Sequence, residues 1–205
     1  MKKFFITIII LCTTLNTSAL AFSIGQKKNV QEEQINPSSE QARIMYAQNE
    51  IDQALKILKE IPEDERSAED WLLIGNILQD KERIDEAIYM FNQSINKNPK
   101  YYKAHYNLGY IYLAQEKPNM ALSEFKLATK YKPDFAYGYY NIGCTYLKLK
   151  KYGQARYNFF KALDLKANEP NIYYNLSYTF KQLGKEKQAQ NYLDLYNKMT
   201  EDHEL

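Results

Sequence analysis

The sequence predicts an all-α fold, a solenoid of stacked helix-turn-helix units, and a 34-residue period is the main reason. Gly75, Gly109 and Gly143 keep that interval. Ala87, Ala121, Ala155 and Ala189 keep it through a fourth copy, and so do Phe91, Phe125 and Phe159, with Leu193 in the last slot. A period of this length marks supersecondary units that bury their apolar faces against neighbouring copies rather than around one centre. Within a copy the apolar residues follow a helical period. Ala121, Leu122, Phe125 and Ala128 share one stripe. Larger apolar residues recur in register at Ile74, Leu108, Ile142 and Leu176, then at Leu78, Tyr112, Tyr146 and Phe180, and these are the expected core.

Along the chain, Lys2 and Lys3 precede an apolar run from Phe4 to Leu15, and Ala19-Leu20-Ala21 offers a small-x-small cleavage site. Residues 1–21 therefore read as a signal peptide removed after Ala21, which predicts a periplasmic or secreted protein. The run is shorter than the ~20 residues that span a bilayer; an uncleaved leader acting as a membrane anchor is the alternative. Leu11 before Cys12 argues against lipid attachment, which needs a small residue there. The leader style and the Asn-, Lys-, Ile- and Tyr-rich composition point to a bacterial source. Residues 22–37 are polar without apolar periodicity and read as a flexible linker. Ala42, Met45, Ala54, Leu58 and Ile61 echo the repeat weakly, so 38–67 reads as a degenerate first copy. Ser38 with Gln41, and Ser67 with Asp70, have the spacing of helix-starting capping boxes. Full copies follow at 68–101, 102–135, 136–169 and 170–203. Pro118 suits the first turn of a helix, and Pro99 and Pro133 fall between copies, where they stop one helix before the next.

Charge and cysteine content narrow the function. The chain has 27 Lys+Arg and 25 Asp+Glu, and loss of Lys2 and Lys3 with the leader leaves 25 of each. Residues 22–70 carry a net −5 and residues 71–205 a net +5. That polarity lacks the clustered basic face of a nucleic-acid binder. Without Cys12, Cys144 is the single cysteine, so neither an intramolecular disulfide nor a cysteine metal cluster is expected. His105 occupies the slot held by Trp71, Tyr139 and Tyr173, and reads as a packed aromatic substitute. No nucleophile–histidine–acid set, phosphate loop or metal-loop spacing is visible. The reading is therefore not an enzyme, with no cofactor and no metal.

The copies resemble the tetratricopeptide repeat. The first full copy gives Trp71, Ile74-Gly75, Leu78, Ala87, Phe91, Ser94 and Pro99. The second gives His105, Leu108-Gly109, Tyr112, Ala121, Phe125, Ala128 and Pro133. The third gives Tyr139, Ile142-Gly143, Tyr146, Ala155, Phe159 and Ala162, with Ala167 where proline is expected. The fourth gives Tyr173, Leu176-Ser177, Phe180, Ala189, Leu193 and Tyr196. The resemblance covers 68–203. It implies a right-handed superhelix whose first helices line a concave groove.

One further pattern lies on those first helices. Tyr106-Asn107, Tyr140-Asn141 and Tyr174-Asn175 recur at the same interval, with Tyr110 and Tyr178 one turn on and Cys144 between them in the series. At 100° per residue Tyr106 and Tyr110 lie about 40° apart, on a side different from Leu108 and Tyr112. These eight residues are the candidate peptide-groove site. An asparagine can bond both the C=O and N–H of an extended backbone, and tyrosine adds flat area with a hydroxyl at low entropic cost. A structural role for the asparagines is the competing reading. The first full copy departs with Leu72, Leu73 and Asn76, so a ladder should run over the three later copies. The slots of a terminal-carboxylate clamp hold tyrosine here, so that activity is not implied. The expected function is a non-catalytic protein-protein interaction module, a scaffold or adaptor binding a partner segment. The alternative is a self-assembly module that oligomerises through the stack ends.

Overall fold

The computed structural model describes residues 36–167 and 169–201; the leader and nearly all of the linker lie outside the described residues. Ten helices occur among the described residues, in five pairs. They are α1 Pro37–Ala47 and α2 Ile51–Glu60, α3 Ala68–Asp80 and α4 Ile84–Lys97, α5 Tyr102–Ala114 and α6 Pro118–Tyr131, α7 Ala136–Lys148 and α8 Tyr152–Asp164, and α9 Pro170–Gln182 and α10 Glu186–Glu201. Each first helix packs on its own second helix, and each second helix packs on the first helix of the next pair. First helices also touch one another, α5 with α7 and α7 with α9.

The turn inside each pair has one design. Asn49, Glu82, Glu116, Lys150 and Gly184 take positive φ at the ends of the first helices. The next N–H reaches back to a carbonyl five residues earlier, as in Lys117 N to Tyr112 O (2.8 Å) and Lys151 N to Tyr146 O (2.8 Å). This 6→1 bond satisfies carbonyls that the helix end leaves open. Helix starts agree with the sequence in part. Ser67 and Asp70 form the reciprocal capping box. Pro118 sits in the first turn of α6. Ser38, by contrast, lies inside α1 rather than at its cap, because the helix already begins at Pro37, whose fixed φ suits a first helical position.

The repeated spacing of glycine and phenylalanine has a direct steric cause. A Cβ on Gly75 would lie 2.5 Å from the Phe91 ring, on Gly109 2.8 Å from Phe125, and on Gly143 2.6 Å from Phe159. All three rings are fully buried. The rings thus fill the space that glycine leaves on the first helix, while Ala87, Ala121 and Ala155 are also fully buried. In the fifth pair the equivalent positions hold Ser177 and Leu193, a larger and a smaller residue.

Two polar features inside the stack were not apparent from the periodicity. Arg66 is buried and donates to the carbonyls of Leu58, Ile61 and Lys59 at 3.0–3.1 Å. Its guanidinium lies over Trp71 at 4.7 Å. It thereby caps the end of α2, where the connection to α3 contains no helical partner for those oxygens. His105 is the packed aromatic that the sequence suggests, yet it is also bonded at both nitrogens. Nδ1 meets Glu124 Oε2 at 2.8 Å and Nε2 meets the Pro99 carbonyl at 3.0 Å.

Candidate ligand-binding face of the first helices

Helical geometry separates two sides of each first helix. Leu108, Ile142 and Leu176 are buried, whereas Tyr110, Tyr174 and Tyr178 are about half exposed. The exposed tyrosines of the stripe therefore lie away from the core, as the angular argument requires, whereas Asn141 is buried and Tyr106, Asn107, Tyr140 and Asn175 are half-buried.

The asparagines do not stand free. Each donates its amide to the preceding first helix. Asn141 Nδ2 bonds the Tyr106 hydroxyl at 2.9 Å, and Asn175 Nδ2 reaches the Tyr140 hydroxyl at 3.4 Å and Cys144 Sγ at 3.6 Å. Asn107 would meet Leu72 at the position equivalent to Tyr106, and leucine accepts nothing. Its Nδ2 bonds Asn76 Oδ1 instead, at 2.6 Å. Asn76 occupies the slot of Tyr110, Cys144 and Tyr178, so the departure of the first full copy is compensated one helical turn away. The ladder consequently extends into that copy. Sequence reading missed Asn76 because it stood as an isolated exception. The signal was its 34-residue offset from Tyr110.

The tyrosines divide into a floor and a rim. Tyr106 packs edge-on to Phe135, with centroids 4.9 Å apart, and tilts against Phe125 at 5.7 Å. Tyr140 lies 6.0 Å from Phe159. Burial raises both hydroxyls above their ordinary pKa, and the bond from the neighbouring asparagine only partly opposes it. They are neutral donors and acceptors at physiological pH. Tyr110 and Tyr178 form the rim, and Tyr174 leans on Tyr196 with centroids 5.4 Å apart. Tyr137, unremarked in the sequence, joins the exposed tyrosines and donates to Glu169 at 3.0 Å. Cys144 is half-buried in this packing: burial pushes its thiol up to about 11, so it is not a thiolate nucleophile.

A recess of about 400 Å³ opens between α3 and α5, walled by Leu72, Leu73, Asn76, Tyr106, Asn107 and Phe135. Arg43 and Glu69 at its edge pair with each other at 2.9 Å. Among the described residues, no three His, Cys, Asp or Glu side chains gather as a metal site, and no helix is long and apolar enough to cross a membrane. The face offers hydroxyls, amides and aromatic surface, which suits non-covalent recognition of a chain rather than acid–base chemistry.

Comparison with known proteins accords with this geometry. A family pattern described as "TPR repeat" matches residues 75–116, and one described as "Tetratricopeptide repeat" matches 102–135, 136–169 and 170–203. The chain belongs to the tetratricopeptide repeat family. Among solved structures it is similar to MamA of Desulfovibrio magneticus RS-1, at 19% identity and a TM-score of 0.70, covering 82% of this chain and 97% of that one. It is also similar to MamA of strain AMB-1, at 18% identity and a TM-score of 0.68 over 80% of this chain and 90% of that one. MamA of strain MSR-1 aligns at 19% identity with a TM-score of 0.68, covering 81% and 96%. At these identities the likeness concerns the fold, an all-α solenoid. Among curated proteins none matches in sequence.

Proposed function

We propose that this protein is a non-catalytic interaction scaffold whose first-helix face binds an extended segment of another protein. The observation that carries this reading is the row of hydroxyls and amides from Asn76 to Tyr178, interrupted by Cys144. Its asparagines are each tied to the preceding first helix, and its rim tyrosines are half exposed. Asn107 and Asn141 each use one N–H on the preceding repeat. Their second N–H, and the Oδ1 of each asparagine, remain for a ligand backbone. The site thus consists of Tyr106, Asn107, Tyr110, Tyr140, Asn141, Tyr174, Asn175 and Tyr178, with Asn76 added.

The test is selection of short random peptides by display on the protein, followed by affinity measurement on Tyr110→Ala/Tyr178→Ala. Loss of binding with an unchanged melting temperature supports the reading; unchanged affinity overturns it. Replacing the three asparagines is the poorer probe, since each also holds two repeats together. Self-assembly through the stack ends is the competing function. Mass measured against concentration, with and without reductant, distinguishes the two. The proposal includes export after cleavage at Ala21, on the strength of the leader pattern. Intact mass of the mature protein should begin at Phe22, and retention of Met1 would overturn it.

A further inference from the structure

We infer that the segment taken by this face is proline-rich and bound as a polyproline II helix. The inference rests on the reading of the face given above and adds the chemical class of its ligand. Three observations carry it.

The first is period. The floor repeats once per helix pair, at Asn107, Asn141 and Asn175, and the inter-helix bonds between these rungs show the first helices in direct contact. Packed helices lie roughly 8–10 Å apart. A polyproline II helix turns once every three residues with a rise of ~3.1 Å, so equivalent residues recur every ~9.3 Å. One turn therefore meets one repeat. A β-strand covers a similar distance in three residues, but its side chains and carbonyls alternate, so successive rungs would meet opposite faces. An extended β ligand matches only every second rung.

The second is hydrogen-bond polarity. The Tyr106 hydroxyl accepts from Asn141, which leaves its own O–H as a donor. Asn107 and Asn141 each spend one N–H on the preceding first helix and retain a second. A proline-rich chain has carbonyls and few N–H groups, and a polyproline II backbone makes no internal bonds, so its carbonyls need external donors. The floor supplies them.

The third is surface character. The slots of the stripe across the three later copies hold tyrosine, asparagine and cysteine and no ionised group. Tyr110 and Tyr178 stand two repeats apart as half-exposed rings, with the smaller Cys144 between them. Rings in such positions stack on pyrrolidine faces. The ligand arrives already ordered, so little entropy is lost on docking.

The experiment uses fluorescein-labelled oligoproline of about nine residues, three turns, and an equally long Thr-Val alternating peptide. Anisotropy titrations are run on the wild type and on Tyr110→Ala and Tyr178→Ala. The expected result is saturable binding of oligoproline, weakened about tenfold or more by either variant, as loss of an aromatic contact at an interface centre implies. The alternating peptide should bind at least about tenfold more weakly than oligoproline. Tighter binding of the alternating peptide, still dependent on the two tyrosines, overturns the polyproline inference and leaves the peptide-binding face standing. Display-selected peptides that need the tyrosines but show no proline at every third position do the same. Binding of neither probe, together with failure of display to enrich any tyrosine-dependent peptide, overturns both.

Discussion

Gly143→Ala tests the steric account of the repeat most directly. Alanine in place of glycine inside a helix gains about 1 kcal/mol from backbone propensity. Here the new Cβ would stand 2.6 Å from Phe159 Cε1 and 2.7 Å from Cδ1. Carbon atoms prefer ~3.5–4.0 Å. The ring is fully buried and has no free side to retreat to. Overpacking of this kind costs roughly 1–3 kcal/mol, so Gly143→Ala should be neutral to about 2 kcal/mol destabilising instead of stabilising. Gly153 in α8 is the control, because a Cβ there meets nothing within 4 Å. Gly153→Ala should gain up to about 1 kcal/mol. Phe159→Leu should cost about 1–2 kcal/mol, less than the ~3–5 of truncating phenylalanine to alanine. In Gly143→Ala/Phe159→Leu the methyl occupies space that the ring vacates, so the two changes should couple favourably by about 0.5–3 kcal/mol. Ser177 and Leu193, 34 residues on from Gly143 and Phe159, make the same kind of exchange in the last repeat. The assay is the denaturant midpoint at constant slope for the three variants and the control. Strict additivity, or a gain at Gly143 equal to that at Gly153, would refute the reasoning.

Three further expectations follow from the same structure. Lys150 takes φ of 56° at the end of α7, where Gly184 serves the equivalent turn, so Lys150→Gly should raise stability by a few tenths to about 1 kcal/mol in chemical denaturation. Ala155 is fully buried, and Ala155→Leu should cost about 1–3 kcal/mol, against about 0.5 kcal/mol or less for Lys151→Leu on the exposed turn; equal melting shifts would contradict the register. For His105, burial pulls the pKa down, but the bonds to Glu124 and the Pro99 carbonyl outweigh it and the net shift is upward. Tyr131 and Tyr112 complete its surroundings, near the ring and near Glu124 respectively. The stabilisation is therefore full below the unfolded value of about 6.5 and lost as pH rises through the raised folded value. Melting followed between acid and alkaline pH should show this loss in the wild type and not in His105→Phe.

The fold was legible because a period repeats its evidence. Glycine, alanine and phenylalanine at fixed offsets outvote any single ambiguous segment, and even the Ser177–Leu193 exchange keeps the volume of the pair. Partner choice among polar side chains was not legible in the same way. Nothing in the spacing says that Asn141 donates to a residue 35 positions earlier while Asn107 turns to one 31 positions earlier. That depends on which neighbour carries an acceptor, and Leu72 does not. Arg66 and Glu124 escaped for a similar reason. Each serves one helix end or one ring, at a position where the other copies differ, so periodicity carries no record of it.

The ladder joins stability and recognition in one set of atoms. Its inter-helix bonds fix the tyrosine hydroxyls at folding, before any partner arrives. Ordering the floor then adds little to the cost of binding, which falls mainly on the rim rings and on the ligand. The same arrangement constrains variation. A substitution that frees an asparagine also leaves the hydroxyl of the preceding tyrosine without its donor, and a buried polar group left unmade is costly. The rim is under no such obligation. Tyr110 and Tyr178 accept no bond from a following asparagine: Asn141 takes the Tyr106 hydroxyl instead of Tyr110, and Tyr178 lies in the last pair. A scaffold of this build can change its ligand preference at the rim while the floor keeps the repeats in register.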